Sequence, residues 1–269
     1  MDAIHLGALA IPLNRLPTLA ALAALFVAAA LIGRRHPRLN AWAAETALVA
    51  LICARAGFVA FNWPVYAANP VTVLYVWQGG FVPVIGIAAA LAYTFWRLRR
   101  HTESLLRAGI PLAAAGLAFG VGTAAASWMA AAPRPLPDLT VQTLSGKPDA
   151  LRDHLGGPLI VNLWATWCPP CRREMPMLTE VARSRSDVTV LLVNQGEERG
   201  RVRQYLSSEN LHGDSVRLDP QSRASVMLMV DAFPTTLVYD GRGRLVLRHA
   251  GEVSRAFIHN AIRKARGER

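Results

Sequence analysis

Two cysteines stand three positions apart in Trp167-Cys168-Pro169-Pro170-Cys171. A pair at that spacing can close a small disulfide ring and open it again by thiol–disulfide exchange. The chemistry needs one thiol that ionises readily and is reachable, and a second close enough to resolve a mixed disulfide. The apolar run from Pro158 to Trp164 reads as a buried strand that delivers the pair to a sheet edge, and a helix starts within the motif. Unpaired N–H groups at that helix N-terminus, with the helix dipole, favour a thiolate at Cys168. Proline is tolerated in a first helical turn, so Pro169 and Pro170 stiffen the ring without costing helical bonds. Cys168 is thus the attacking thiol and Cys171 the resolving one. A structural zinc site would need four ligands. Neither a second CxxC nor a His pair lies nearby, and the seven His residues show no ligand spacing, so neither metal nor cofactor is expected.

The elements that must hold this pair follow from the pattern around it. An extended start from Asp138 to Leu144 leads through Ser145-Gly146-Lys147 and Leu151-Arg152-Asp153-His154-Leu155 to a strand over 159–164. The helix opened by the motif runs to about Arg185, with Met175, Leu178, Val181 and Ala182 as its apolar stripe. Pro176 should kink it by removing a bond to Arg172. Asp187 to Val193 reads as a second buried strand, completing a right-handed β-α-β unit. A helix near 199–209, a short strand from Ser215 to Leu218 and a helix near 221–229 come next. Thr235 to Asp240, a Gly241-Arg242-Gly243 turn and Arg244 to Arg248 form a hairpin. A closing helix begins at Ser254, its N-cap, with Phe257, Ile258, Ala261, Ile262 and Ala265 inward.

This order, β-α-β followed by β-β-α with CxxC opening the first helix, resembles the thioredoxin fold, an α/β fold with a central mixed sheet flanked by helices. Within that fold, residues 135–266 resemble the TlpA/ResA-like membrane-anchored thiol–disulfide reductases. The resemblance rests on Asn162-Leu-Trp-Ala-Thr-Trp-Cys-Pro-Pro-Cys-Arg-Arg-Glu-Met-Pro176. It implies that Phe233-Pro234-Thr235-Thr236 carries a cis Pro234 opposite the disulfide, holding backbone groups to pair with a substrate strand. It places Trp167, Pro169, Pro170, Phe233 and Thr235 along a substrate groove. Glu174 matches the acidic residue that tunes the cysteines in that branch, and a carboxylate there would raise thiol pKa values by like-charge repulsion. Asn162 stands where cytosolic thioredoxins place a buried Asp, which leaves Glu174 as the substitute proton shuttle. Val193-Asn194-Gln195-Gly196-Glu197 matches a strand-end loop beside the active site.

Composition divides the chain. It has 269 residues, long enough for two domains, with 52% hydrophobic residues and a net charge of +11. Residues 1–132 contain nine Lys/Arg and three Asp/Glu scattered between apolar runs, whereas 133–269 contain twenty and fifteen, the mix of a water-facing domain. No basic run with interleaved aromatics occurs, which excludes a nucleic-acid partner. Four apolar segments, roughly 11–33, 41–61, 80–96 and 108–131, approach the ~20 residues that cross a bilayer. An all-α membrane domain over 1–132, of about four transmembrane helices in contact with lipid, therefore precedes a thioredoxin-like domain over 133–269. The first segment lacks a basic n-region and runs into Arg34-Arg35-His36-Pro37-Arg38, unlike a signal peptide. Arg97-Leu98-Arg99-Arg100 and Arg107 make a second basic loop, while Asn62 to Gly79 carries no charge. The positive-inside rule puts both basic loops in the cytoplasm. The chain is then a multi-pass protein of a bacterial inner membrane with its C-terminal domain in the periplasm. Ala131-Ala132-Pro133-Arg134-Pro135-Leu136-Pro137 is a stiff spacer between the two.

Within the apolar half, Gly116 and Gly120 form a GxxxG suited to helix packing, and Cys53 is a small buried filler. Arg55 inside a span reads either as functional or as snorkelling outward past Phe61. Arg55-Ala-Gly57-Phe58, Asn62-Trp63-Pro64-Val65-Tyr66, Asn69-Pro70 and Val76-Trp77-Gln78-Gly79-Gly80 resemble prolipoprotein diacylglyceryl transferase over about residues 5–97. Val84 stands where that family has a His implicated in catalysis, and its later spans have no counterpart. The resemblance thus implies a degenerate membrane region without transferase activity.

The combined expectation is a thiol–disulfide oxidoreductase that reduces disulfides of exported proteins. By resemblance, its targets are apocytochrome c haem-binding cysteines or the cysteines of copper-site proteins. Its electrons would come from a membrane conduit of the CcdA or DsbD type. A disulfide-forming oxidase uses the same scaffold in the opposite direction, and a lipoprotein diacylglyceryl transferase with a fused redox domain is a further alternative. Direction is set by reduction potential.

Overall fold

The structure is a computed structural model that describes residues 3–6, 9–12, 15–34, 38–67, 70–130 and 135–268. The middle of the first basic loop (35–37), Asn69 and residues 131–134 of the spacer lie outside the described residues. The chain forms two compact units, Asn14–Ala131, and Ala132–Arg269 together with Met1–Leu13. The short segment carries a hairpin, β1 (Ala3–Leu6) with β2 (Leu9–Pro12), paired antiparallel.

The first unit is helical: α1 (Leu16–Gly33), α2 (Arg38–Phe61), the short α3 (Trp63–Ala67), α4 (Pro83–Leu98) and α5 (Thr102–Ala130). Among the described residues, three helices are long and apolar enough to span a bilayer, over Leu16–Gly33, Leu39–Phe61 and Glu103–Ala125. The remaining segment of the four read from the sequence forms α4, of 16 residues. At 1.5 Å per residue it is about 24 Å long, short of a hydrocarbon core about 30 Å thick. Its start is displaced to Pro83 because Gly79 and Gly80 adopt φ of 75° and 82°, outside helical geometry. Gly80 is required there twice over, since a Cβ would lie 2.6 Å from Phe58 and 2.8 Å from Arg55. Close helix approach uses other glycines: a Cβ on Gly86 would meet the Ala50 carbonyl at 2.9 Å. The GxxxG at Gly116 and Gly120 differs from expectation, because a Cβ at either glycine meets nothing within 4 Å.

Arg55 is 7% exposed and points inward. Its Nε donates to Val73 O (3.1 Å), Nη1 to Gly79 O (2.6 Å) and Gly80 O (3.1 Å), and Nη2 to Val73 O (3.0 Å) and Thr72 O (3.4 Å). The rings of Tyr66 and Phe81 lie 5.6 and 5.9 Å from the guanidinium carbon. Snorkelling past Phe61 is thereby excluded. The physical reason is that the connection between α3 and α4, folded as two short 3-10 turns (Pro70–Leu74 and Val76–Gln78), turns backbone carbonyls towards Arg55, and such groups are tolerated at membrane depth only where something satisfies them.

The second unit contains β3 (Thr140–Thr143), β4 (Pro148–Ala150), β5 (Leu159–Trp164), α6 (Pro169–Ser184), β6 (Thr189–Gln195) and α7 (Arg199–Ser208). It continues with β7 (Val216–Asp219), α8 (Arg223–Met227), β8 (Thr235–Tyr239), β9 (Leu245–Ala250) and α9 (Arg255–Ala265). The sheet order is β4-β3-β7-β6-β5-β8-β9. β5, β6 and β7 run parallel, while β8 joins β5 and β9 joins β8 antiparallel. This is the mixed sheet expected of a thioredoxin-like fold. Side chains alternate across central β5. Ile160 and Trp164 pack under α6 and α9 with Met175, Leu178 and Ile262, while Leu159, Val161 and Leu163 face the other side with Leu151 and Leu237. Ser254 caps α9 as read, its Oγ accepting from Phe257 N at 3.1 Å. β6 begins two residues later than expected because Asp187 is held outside the sheet by Arg185 (2.6 Å) and Arg266.

Candidate functional site

β5 ends at Trp164, and α6 begins at Pro169 with Cys168 as its N-cap. Cys168 and Cys171 are joined as a disulfide, their Cα atoms 5.3 Å apart. Cys171 N–H donates to Cys168 Sγ at 3.3 Å, so the group that would stabilise a Cys168 thiolate already points at it. Cys171 has no exposed surface and Cys168 has 3%. Cys168 is thus the sulfur with access, narrower than a freely reachable thiol. Trp167 beside it is 60% exposed, with its ring 6.1 Å from that of Phe233.

The Phe233–Pro234 bond is cis, as the thioredoxin resemblance implies. Pro169 is exposed and Pro170 and Phe233 half-buried, so these and Trp167 present surface. Thr235 is a correction to the groove: it is wholly buried on β8, and its hydroxyl donates to Ala232 O at 2.7 Å. Being the first strand residue between β5 and β9, it turns inward to brace the proline loop.

Glu174 lies on the face of α6 that carries Cys171, three residues on, and is 2% exposed. Oε1 accepts from Asn162 Nδ2 at 2.8 Å and Oε2 from Val253 N at 2.9 Å. Burial pushes its carboxyl up to about 8. The Val253 and Asn162 donors and nearby Arg173 oppose that rise, and the charge of Glu252 adds to it. Such a group holds its proton near neutrality and can give it up as a disulfide opens.

Two further parts of the site were not legible in the sequence as such. Glu252, 6% exposed, pairs with Arg173 at 2.8 Å beside Glu174. It lies 78 positions further along the chain, and no local pattern marks it. Glu197, quoted above only as part of a loop, accepts from Thr166 N (2.7 Å), Thr166 Oγ1 (2.5 Å) and Asn194 Nδ2 (2.7 Å) and pairs with Arg201 at 3.0 Å. It anchors the turn that leads into Trp167 and Cys168. No group of three or more His, Cys, Asp or Glu suited to a metal occurs among the described residues.

The AhpC/TSA family model matches residues 133–248. A thiol:disulfide interchange protein DsbE homolog of Paracoccus denitrificans (strain Pd 1222) is 37% identical over 127 residues, 45% of this chain and 68% of its own length. The chain belongs to the DsbE family. Thiol-disulfide oxidoreductase ResA of Geobacillus thermodenitrificans (strain NG80-2) is 32% identical over 111 residues, 40% of this chain and 63% of that protein. A solved thioredoxin family thiol:disulfide interchange protein from Chlorobium tepidum TLS is 27% identical, with 50% of this chain, 97% of that one and a TM-score of 0.44. As a DsbE-family protein the chain is a thiol–disulfide oxidoreductase, its exchange domain lying in the C-terminal half. The three apolar helices mark it as membrane-bound.

Proposed function

We propose that this protein is a membrane-tethered thiol–disulfide reductase, with Cys168 the attacking and Cys171 the resolving thiol. The observation that carries the direction is the burial of Glu174 one helical turn beyond Cys171. Below about pH 8 that buried group is neutral and supplies a proton as the disulfide opens; above it the carboxylate disfavours the thiolate and so favours the closed disulfide, which is the property of a dithiol that gives electrons away. In the working cycle, the reduced Cys168 thiolate attacks a substrate disulfide and forms a mixed disulfide. Cys171 then attacks Cys168 Sγ, releasing the substrate as a dithiol and closing the ring. Trp167, Phe233 and the cis Pro234 loop frame the approach, and Glu174 moves the proton. Substrates of this reading are disulfides in exported proteins, such as apocytochrome c or copper-site proteins. A CcdA- or DsbD-type membrane donor would restore the dithiol.

A Cys171→Ser variant, which cannot resolve, should accumulate dithiothreitol-sensitive adducts with exported proteins that carry cysteine pairs. Those adducts should vanish when Cys168→Ala is added. Adducts independent of Cys168 would remove it from the attacking role.

The membrane half is read as an anchor, with the redox domain in the periplasm. Supporting this, Arg55 spends its donors on backbone carbonyls and is not free to serve as a transferase residue. Exposed Trp63 and Trp77 on one side and Phe95 and Trp96 on the other suit the two interfaces of a bilayer. With the non-helical residues 79–82 ahead of α4 completing its crossing, reporter fusions at residues 36 and 100 should report cytoplasm, and fusions at 140 and 269 periplasm. A cytoplasmic signal at 269 would overturn the orientation.

A further inference from the structure

We propose that Asn162 is a positioning residue for the exchange reaction, one that holds Glu174 for proton transfer and ties it to the strand that follows cis Pro234. The inference rests on the redox reading of the CxxC pair. Asn162 lies on central β5, wholly buried, in the same column as Ile160 and Trp164. A leucine would fill that column with no polar atom to satisfy. Asn162 instead gives both hydrogens of Nδ2 away, one to Glu174 Oε1 at 2.8 Å and one to Thr236 Oγ1 at 3.0 Å. Thr236 is its register partner on β8, two residues after Pro234. The carbonyl end, Oδ1, has no hydrogen-bond partner although it is buried.

An amide used from one end only is poised to serve from the other, because its two ends have nearly the same shape. Towards an ionised Glu174 it must donate, as in the arrangement described. A protonated Glu174 also offers an O–H donor, and a half-turn about χ2 lets Asn162 accept it, presenting Oδ1 to both the carboxyl O–H and the Thr236 hydroxyl. The other groups facing Glu174 lack this reversibility. The Arg173 guanidinium on α6 and the Val253 N–H after β9 can only donate, and the Glu252 carboxylate accepts. The cysteine pair on α6 is the remaining neighbour, and it is the group whose proton changes hands.

The test uses the full chain in detergent with 13C-labelled glutamate carboxyls. The Glu174 signal is assigned by its loss in Glu174→Gln, and its midpoint is read in the oxidised protein, independently of any activity. Asn162→Leu should raise that midpoint by roughly one pH unit, the size expected on losing a hydrogen bond to a charged group. Asn162→Asp, which preserves shape should the leucine variant fail to fold, should split the titration into two coupled steps. In the reduced protein, Asn162→Leu should shift the pH profile of Cys168 alkylation, and the shift should disappear in a Glu174→Gln background. A lower Tm with an unmoved midpoint, or a profile shift that persists without Glu174, would make Asn162 a packing residue and overturn the proposal. Wild-type protein without disulfide exchange, but with the midpoint shift intact, would retire the redox reading and leave the Asn162–Glu174 coupling standing.

Discussion

Full-length Cys168→Ala protein is expected to reduce insulin disulfides no faster than the dithiothreitol supplied with it. The reason is the asymmetry of the pair. Cys171 is wholly buried behind the first turn of α6, and its backbone N–H is directed at the Cys168 sulfur. Removing Cys168 therefore leaves a thiol with neither access nor a donor aimed at it, and the thiolate is the reacting species. Cys171→Ala should differ, permitting attack and a stalled mixed disulfide without turnover. Retention of full activity by Cys168→Ala would end the redox assignment of this pair.

The second large effect belongs to Glu174→Gln, and pH reveals it. The folded protein holds the Glu174 proton up to about 8, against an ordinary value of 4.5. Between those values the folded state binds a proton that the unfolded chain releases, so stability falls as pH rises across the window and levels off above it. The difference corresponds to at most about 5 kcal/mol. Glu174→Gln should lose this slope, and should gain stability relative to wild type from pH 5 to pH 8 in urea unfolding monitored at each pH. Reduction potential should follow the same charge. Below pH 8 Glu174 is largely neutral and the variant should differ little. Above it the wild-type carboxylate repels the thiolate, and the variant should be more oxidising by some tens of millivolts, where ~30 mV is about 1.4 kcal/mol for two electrons. Equilibration against glutathione at pH 7 and pH 9 measures the gap. A gap that does not widen, with a flat stability difference, would make Glu174 a charge without influence on the cysteines.

Much of the exchange domain was legible in the sequence because its strands are buried and its helices two-faced. Leu159 to Trp164 (Asn162 excepted) and Thr235 to Tyr239 are apolar, aromatic or β-branched runs, and α6 and α9 repeat apolar residues at helical spacing. Strands β4 and β1 were not, since three or four residues give alternation too little length to register. The motif fixed where the sulfurs sit and which helix end faces them. It said nothing of Glu252 or Val253, which reach Glu174 from the far end of the chain. Thr235 was misplaced because a sequence position next to cis Pro234 does not tell which way a side chain turns. The partners of Arg55 were illegible for a different reason. They are carbonyl oxygens, which every residue has and no residue type announces.

The double proline between the cysteines acts chemically as well as by stiffness. A helix start ordinarily turns several free N–H groups towards an anion. Pro169 and Pro170 occupy the first two positions of α6 and have none. The Cys168 N–H is engaged by Ala165 O at 3.3 Å and the Arg172 N–H by Cys168 O at 3.1 Å. What remains for the Cys168 sulfur is the single N–H of Cys171. The spacer has thus turned a helix end into an anion receptor with one prong. A receptor of that kind grips a thiolate loosely, so electrons stored on the pair leave it readily, whatever the charge on Glu174 adds.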